Sequence, residues 1–254
     1  LSCQGVFNMR HIRPRTLQIA LLAFLLAFAA TPVRSATLSF DLDLEFSGGT
    51  PPVGESPWAR AVFDDGDSPG SVLLTLDTLH LTDTEFITEW YFNFESNAEP
   101  LDISLVEALT ADSRDITTPF NYVTLEGVDQ GEDSFRADGD GLYDILFRFK
   151  EDNHWDWGSF SSRFGGGSLA IFEITGDGIT ASSFAYLSSP AGGHGPFPTA
   201  AKVQGIGENG ALSGWIAPGD WGNPPQPTPE PATALLVGAG MVLLAGWARR
   251  RPFR

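Results

Sequence analysis

The sequence predicts an all-β fold, an antiparallel β-sandwich of jelly-roll type, over residues 36–217. Three observations lead to this fold class. Short segments alternate apolar and polar residues, turns rich in Gly, Asn, Asp and Pro separate them, and no part of the region keeps a 3.6-residue apolar period. An open barrel is the alternative architecture. Hydrophobic residues form 42% of the chain, which is enough for the core of one domain.

The first predicted strand has the clearest alternation. Apolar residues from Leu38 to Phe46 point one way, and acidic or hydroxyl residues lie between them, as in a strand with one wet face. Further strands are predicted at 60–63, 71–81, 88–95, 101–107, 122–125, 142–150, 169–174, 183–187 and 201–206, and 213–216 closes the domain. These segments give the roughly eight to ten strands that a sandwich needs.

The N-terminal segment 9–35 has the features of a secretory signal peptide. It contains a basic region with Arg10, Arg13 and Arg15, an apolar region at 17–30 and a small-residue cleavage site at 33–35. This order predicts a mature start near Ala36, and an uncleaved signal anchor is the alternative. Residues 1–8 precede Met9 and are interpreted as translated upstream sequence.

The C-terminal segment 229–254 follows a Pro- and Gly-rich stalk at 218–228 and has the features of a membrane-spanning tail. It consists of Pro229, Glu230 and Pro231, an apolar run at 232–248, and Arg249, Arg250 and Arg251. As a helix, the apolar run is about 26 Å long, just enough to cross a thin hydrocarbon core. The arginines should stay cytoplasmic by the positive-inside rule, so the preceding domain should lie outside.

This order of Pro-Glu-Pro, one apolar span and a terminal arginine cluster resembles the C-terminal sorting signal of PEP-CTERM proteins. The resemblance implies export by a Gram-negative cell and processing at the membrane by an exosortase. It also implies that Pro229, Glu230 and Pro231 form the recognition element and that the three arginines form the cytoplasmic stop. The precursor would then lie in the inner membrane through its tail alone, and the mature form at the cell surface or outside. An ordinary single-pass anchor is the alternative.

Charge and cysteine content exclude several function classes. The net charge is −17, and most of the basic residues lie in the two terminal segments, so the domain itself is strongly acidic. Such a domain repels nucleic acid and anionic membranes. The one cysteine, Cys3, lies upstream of Met9. The mature protein therefore has no disulfide, no cysteine metal site and no cysteine nucleophile.

The segment 138–144 is the best candidate metal site, because Asp138, Asp140 and Asp144 surround a glycine turn. Calcium takes six to eight oxygen ligands, and carboxylates spaced in this way can converge on one ion. The alternative is a polar turn that leads into the strand 142–150, with Asp144 on its wet face. A second acidic turn, with Asp64, Asp65 and Asp67, is interpreted as a solvated hairpin loop, with calcium as its alternative.

Trp155 and Trp157 are the candidate sugar-binding residues. They alternate around Asp156, so both rings can lie on one face of a strand and stack on a pyranose ring. The alternative is that they belong to the core or cover a sheet edge. Trp215 and Trp221 are weaker candidates for the same role.

Catalytic motifs do not stand out in this sequence. His80, His154 and His194 are far apart and have no zinc-binding spacing, and no Gly-x-Ser-x-Gly motif marks a nucleophile. We therefore expect an exported surface or extracellular-matrix protein, structural or adhesive, without catalysis and without a cofactor other than calcium. The alternative is a carbohydrate- or calcium-binding module that attaches to exopolysaccharide, and a secreted hydrolase is a third class. Expected partners are an exosortase-type enzyme and the export machinery.

Overall fold

The computed structural model describes residues 36–65, 68–82, 84–95, 100–109, 123–138, 141–151 and 163–220. The predicted signal peptide, most of the stalk and the sorting tail lie outside these ranges, as do Trp155 and Trp157. Within these ranges, no helix has both the length and the apolar character needed to cross a bilayer.

The described residues form thirteen strands and one short 3-10 helix. The strands are β1 (Thr37–Leu42), β2 (Leu44–Glu45), β3 (Ala59–Asp64), β4 (Ser71–Asp77), β5 (Phe86–Phe92), β6 (Asp102–Leu109), β7 (Leu125–Ala137), β8 (Gly141–Phe149), β9 (Phe164–Gly165), β10 (Leu169–Thr175), β11 (Ser189–Pro190), β12 (Thr199–Ile206) and β13 (Leu212–Ala217). The 3-10 helix is Ala181–Phe184.

The strands form two antiparallel sheets. The five-stranded sheet has the order β1-β3-β4-β10-β6, and the eight-stranded sheet has the order β11-β8-β5-β12-β13-β2. In the eight-stranded sheet β7 also pairs with β8, and β9 with β5. The prediction of an all-β antiparallel sandwich is therefore confirmed. The finer prediction of jelly-roll connectivity stays a prediction.

Aromatic rings from both sheets meet in the core. Phe63 on β3 contacts Phe92 on β5, with ring centroids 5.2 Å apart and nearly perpendicular planes. Phe147 on β8 contacts Phe172 on β10, with ring centroids 4.7 Å apart and an angle of 62° between the planes. All four rings are fully buried. Edge-to-face contacts of this kind add to the apolar burial, and they show that the two sheets pack face to face.

A second apolar cluster covers part of the other face of the eight-stranded sheet. Tyr91 on β5 lies 5.6 Å from the rings of both Tyr143 and Trp215. Burial of Tyr91, together with the adjacent Glu89 carboxylate, holds the pKa of its hydroxyl well above the ordinary value. Because β5 is packed on both faces, six of its seven residues are buried. Trp215 therefore belongs to an aromatic cluster here, and its ring also faces the ammonium group of Lys202.

The predicted strand from Leu38 to Phe46 is in fact two strands in different sheets. β1 is an edge of the five-stranded sheet, whereas β2 pairs with β13 in the eight-stranded sheet. The break occurs at Asp43, whose backbone N–H donates to Ala217 O and whose carboxylate accepts from Gly219 N. Alternation continues through the break, so the pattern alone could not reveal it.

Two other predicted segments are wrong. The prediction at 122–125 misses most of β7, whose 13 residues run to Ala137 and pair with β8. β7 is polar and contains two glycines, so its strand structure depends on pairing with β8 and not on local pattern. The predicted strand at 183–187 overlaps the 3-10 helix, in which Phe184 is buried and stacks on Phe63.

A candidate ligand-binding cleft

A cleft of about 270 Å³ lies where β5 ends beside the β7–β8 hairpin. Its walls come from three parts of the chain: the residues after β5, the middle of the hairpin, and the segment between the 3-10 helix and β11. The described lining residues are Asn93, Phe94, Glu95, Glu132, Asp133, Asp144, Tyr186, Leu187 and Ser189.

Asp144 on β8 is the structural centre of the cleft. Its side chain is only 6% exposed. One carboxylate oxygen accepts from Asp133 N at 2.8 Å, and the other accepts from Phe94 N at 3.1 Å. A carboxylate that accepts backbone N–H groups makes strong, charge-assisted hydrogen bonds. Asp144 therefore ties the hairpin to the end of β5 and fixes two walls of the cleft.

Asp133 lies in a bulge of β7, where the pairing register with β8 shifts between Gln130 and Phe135. Its φ of 50° is left-handed, which is uncommon for a residue other than glycine. The bond from its backbone N–H to Asp144 stabilises this conformation. Bulges of this kind redirect side chains away from the regular alternation. Here the bulge places Glu132 and Asp133 together on the wall of the cleft.

Tyr186 and Leu187 form the exposed rim of the cleft. They are 43% and 45% exposed, a high fraction for large apolar groups. The Glu95 carboxylate lies beside the Tyr186 hydroxyl, and both residues line the cleft. Partial desolvation, and then the charge of Glu95, raises the pKa of the Tyr186 hydroxyl, so it stays protonated at neutral pH.

The chemistry of the cleft is that of hydrogen-bond acceptors beside the exposed ring of Tyr186. Glu95, Glu132, Asp133 and Asp144 supply carboxylates, and no Lys, Arg or His is among the described lining residues. Ionised carboxylates accept hydrogen bonds and donate none. A ligand that fits such a cleft must bring donors, such as hydroxyl or ammonium groups, and an apolar surface for the ring. Anionic ligands are repelled.

Of the three predicted calcium ligands, the structure describes Asp138 and Asp144. Asp138 follows β7 in a left-handed conformation, with a φ of 46°, and Asp140 lies outside the described residues. The expectation that Asp144 lies on a wet face is wrong, because its carboxylate is buried and bonds to two backbone N–H groups. Among the described residues, no group of three His, Cys, Asp or Glu side chains could hold a metal ion. The calcium site that includes Asp140 stays a prediction.

The second acidic turn joins β3 to β4, as the hairpin prediction requires. Asp65 there accepts hydrogen bonds from two backbone N–H groups, those of Ala36 and Ala181. Asp67 lies outside the described residues. His80 has a structural contact, because its Nδ1 lies 3.0 Å from Pro57 O.

Sequence reasoning missed most of the cleft. Tyr186 fell within a wrongly predicted strand, and Glu95 lies far from it in the sequence, so no local motif joins them. Of the cleft residues, the sequence indicates only Asp144, as a candidate calcium ligand. The predicted sugar-binding pair, Trp155 and Trp157, lies outside the described residues and stays a prediction. The one available signal was the run of polar residues from 129 to 134 inside a β region, which is where a bulge lies.

No protein-family model matches the chain, and no curated protein matches its sequence. Among solved structures, the chain is similar to a scaffoldin carbohydrate-binding module of family 3b from the cellulosome of Bacteroides cellulosolvens. The two are 12% identical, the alignment covers 72% of this chain and 96% of the module, and the TM-score is 0.25. A likeness this distant carries no inference about a ligand.

Proposed function

We propose that the chain is an exported carbohydrate-binding module without catalysis of its own. The site is the cleft at the end of β5, and the ligand is a polysaccharide of the cell exterior. The observation that carries this proposal is the half-exposed Tyr186 ring, which lies beside Glu95 at the rim of a cleft lined with carboxylates. The apolar face of a pyranose stacks on such a ring, and its hydroxyl groups donate to carboxylates.

The charge of the cleft selects among sugars. The described lining residues carry four carboxylates and no basic group, so uronic acids and sulfated sugars are disfavoured. Neutral hexoses and amino sugars carry hydroxyl or ammonium groups, which can donate hydrogen bonds to these carboxylates, and they carry no negative charge. The ligand class is therefore a neutral or amino-sugar polymer, and not an acidic exopolysaccharide.

Replacing Tyr186 with alanine is expected to weaken binding of a neutral or amino-sugar oligosaccharide about five- to thirtyfold. The reason is that an aromatic contact with its buried area contributes about 1–2 kcal/mol, and each 1.4 kcal/mol corresponds to a factor of ten. Titration calorimetry, on ligands chosen from a glycan array, measures the loss. Tyr186→Phe keeps the ring and should bind within about threefold of the wild type.

Leu212→Ala is the matched control for this experiment, because Leu212 is 51% exposed but does not line the cleft. Its binding should equal that of the wild type. Binding that survives Tyr186→Ala but is lost in the double variant Trp155→Ala, Trp157→Ala would contradict the cleft and favour the tryptophan pair. A preference for uronic acid ligands would contradict the charge selection.

The same proposal includes export and sorting through the tail. The order of Pro229, Glu230, Pro231, the apolar run and the arginines supports it. The precursor is held in the inner membrane by 232–248, an exosortase-type enzyme processes it, and the domain with its cleft is released to the cell exterior. In this scheme the tail anchors the precursor only, and the mature protein lacks it.

Replacing Glu230 with alanine is expected to leave the full-length precursor in the membrane fraction of a Gram-negative host that has the processing enzyme. The Glu230 carboxylate is the charged group of the recognition element. Its loss should therefore prevent recognition by the processing enzyme. Immunoblotting of membrane and extracellular fractions measures the outcome. Asp220→Ala, which removes a carboxylate within the stalk and outside the Pro-Glu-Pro element, should be processed normally. Normal processing of the Glu230 variant would count against the sorting signal.

A further inference from the structure

The first described residue, Ala36, is also the predicted first residue of the mature protein. Its backbone nitrogen donates to Asp65 Oδ2 at 3.4 Å, and its carbonyl accepts from Asp65 N at 3.0 Å. Ala36 therefore continues the register of β1 and β3, in which Thr37 lies opposite Asp64. The predicted cleavage point thus coincides with the point where the strand begins.

The Asp65 carboxylate also contacts a third element. Its Oδ1 accepts from the backbone N–H of Ala181, the first residue of the 3-10 helix. One carboxylate therefore joins the start of β1, the end of β3 and the start of the helix. Ala181 and Phe184 of that helix are buried in the main core. The bond to Ala181 thus fixes Asp65 against a buried helix, whereas the bond from Ala36 lies on the exposed side of the carboxylate.

We propose that Asp65 is the binding site for the new N-terminal ammonium group that maturation creates. The inference rests on the export part of the proposed function and is independent of the cleft. A peptidase of the export machinery hydrolyses the Ser35–Ala36 peptide bond. Water supplies the hydroxyl group to the Ser35 carbonyl carbon and a proton to the Ala36 nitrogen, which takes a second proton from solvent. A neutral N–H donor beside Asp65 becomes a cation with three N–H donors.

The charged groups near Ala36 are carboxylates, and its backbone nitrogen already reaches an oxygen of Asp65. On β3 the neighbouring charged group is Asp64, also a carboxylate, and the 3-10 helix carries no charged residue in its first or last turn. On β1 the next charged group is Asp41, which pairs with Arg60 at the far end of the strand. Among the described residues of these elements, no cation lies near Ala36. Cleavage therefore exchanges a hydrogen bond for an ion pair, which ties the mature N-terminus to the sheet.

The test uses the full chain, exported and processed in a Gram-negative host. The secreted protein is acetylated with a limiting reagent over a range of pH, and mass spectrometry of the N-terminal peptide gives both the start residue and the titration midpoint of its amine. We expect a start at Ala36 and a midpoint about half a pH unit or more above the ordinary value of about 7.7–8.0. In concentrated urea, the same protein should titrate at the ordinary value.

Two variants make the assignment specific. Asp65→Asn should return the midpoint of the folded protein to the ordinary value, whereas Asp64→Asn, which removes the same charge one residue away, should keep most of the shift. The comparison of folded and urea-treated wild type keeps the test decisive if Asp65→Asn does not fold. A start at another residue, or an ordinary midpoint in the folded protein, would overturn the ammonium site. Neither result would affect carbohydrate binding in the cleft.

Discussion

Trp90→Ala is expected to lower the free energy of unfolding by about 3–5 kcal/mol, the largest single effect that we predict. Trp90 lies on β5 and is fully buried. Its ring stacks near Phe92 at 6.0 Å, and its indole N–H donates to Thr199 Oγ1 at 2.8 Å. Alanine leaves a large cavity between the sheets and removes the donor of a buried hydrogen bond. Urea denaturation followed by far-UV circular dichroism measures the loss.

Trp90→Phe separates the cost of the cavity from the cost of the lost hydrogen bond. Phenylalanine keeps most of the apolar volume but has no N–H group, so its cost should be clearly smaller than that of alanine. Thr199 keeps its own bond to Tyr91 O at 2.7 Å in this variant, so the hydroxyl still has a partner. Leu212→Ala, on the exposed side of β13, should change stability by no more than about 0.5 kcal/mol. A loss below about 1 kcal/mol for Trp90→Ala would contradict the packing described.

Asp144→Asn is expected to cost about 1.5–3 kcal/mol of stability and to abolish ligand binding in the cleft. Asparagine has one oxygen acceptor, whereas Asp144 accepts hydrogen bonds from two backbone N–H groups. The amide NH₂ would face either Phe94 N–H or Asp133 N–H, donor against donor. A buried donor without an acceptor costs about 1–3 kcal/mol, and hydrogen bonds to charged groups are the stronger ones. Urea denaturation and titration calorimetry measure the two effects.

Asp133→Asn is the matched control, because it removes the same charge from the same cleft. The Asp133 bond to Asp144 uses its backbone N–H, which the substitution leaves in place. This variant should keep its stability and should bind a neutral sugar within a few fold of the wild type. Equal losses in both variants would show that the charge of the cleft, and not the bonds of Asp144, holds its geometry.

Strands with a regular alternation of apolar residues were predictable from local pattern. The alternation in 142–150 predicts β8 almost to the residue, because the apolar side chains of one face are buried in the core. The pattern fails where distant pairing decides the outcome. β7 is a strand because it pairs with β8, and the chain changes sheet at Asp43 because of contacts with Ala217 and Gly219. These partners are far away in the sequence.

The cleft was less predictable than the fold for a related reason. Asp144 was visible as an acidic residue near a glycine turn, but its two bonds go to backbone groups, and any residue type provides those. Tyr186 and Glu95 become neighbours only when the segment after the 3-10 helix packs beside the end of β5. A sequence shows which side chains could bind a sugar or an ion. It does not show which of these side chains bond to the backbone and stabilise the fold, as Asp144 does.

The change of sheet at Asp43 has a mechanical consequence. β13 is the last strand before the stalk, and β2 and β12 flank it as antiparallel neighbours. A pulling force applied beyond Asp220 therefore enters the domain through β13 and passes to β2, which continues into β1 of the other sheet. A load on β13 can therefore reach both sheets through the β2–β13 pairs and the backbone at Asp43.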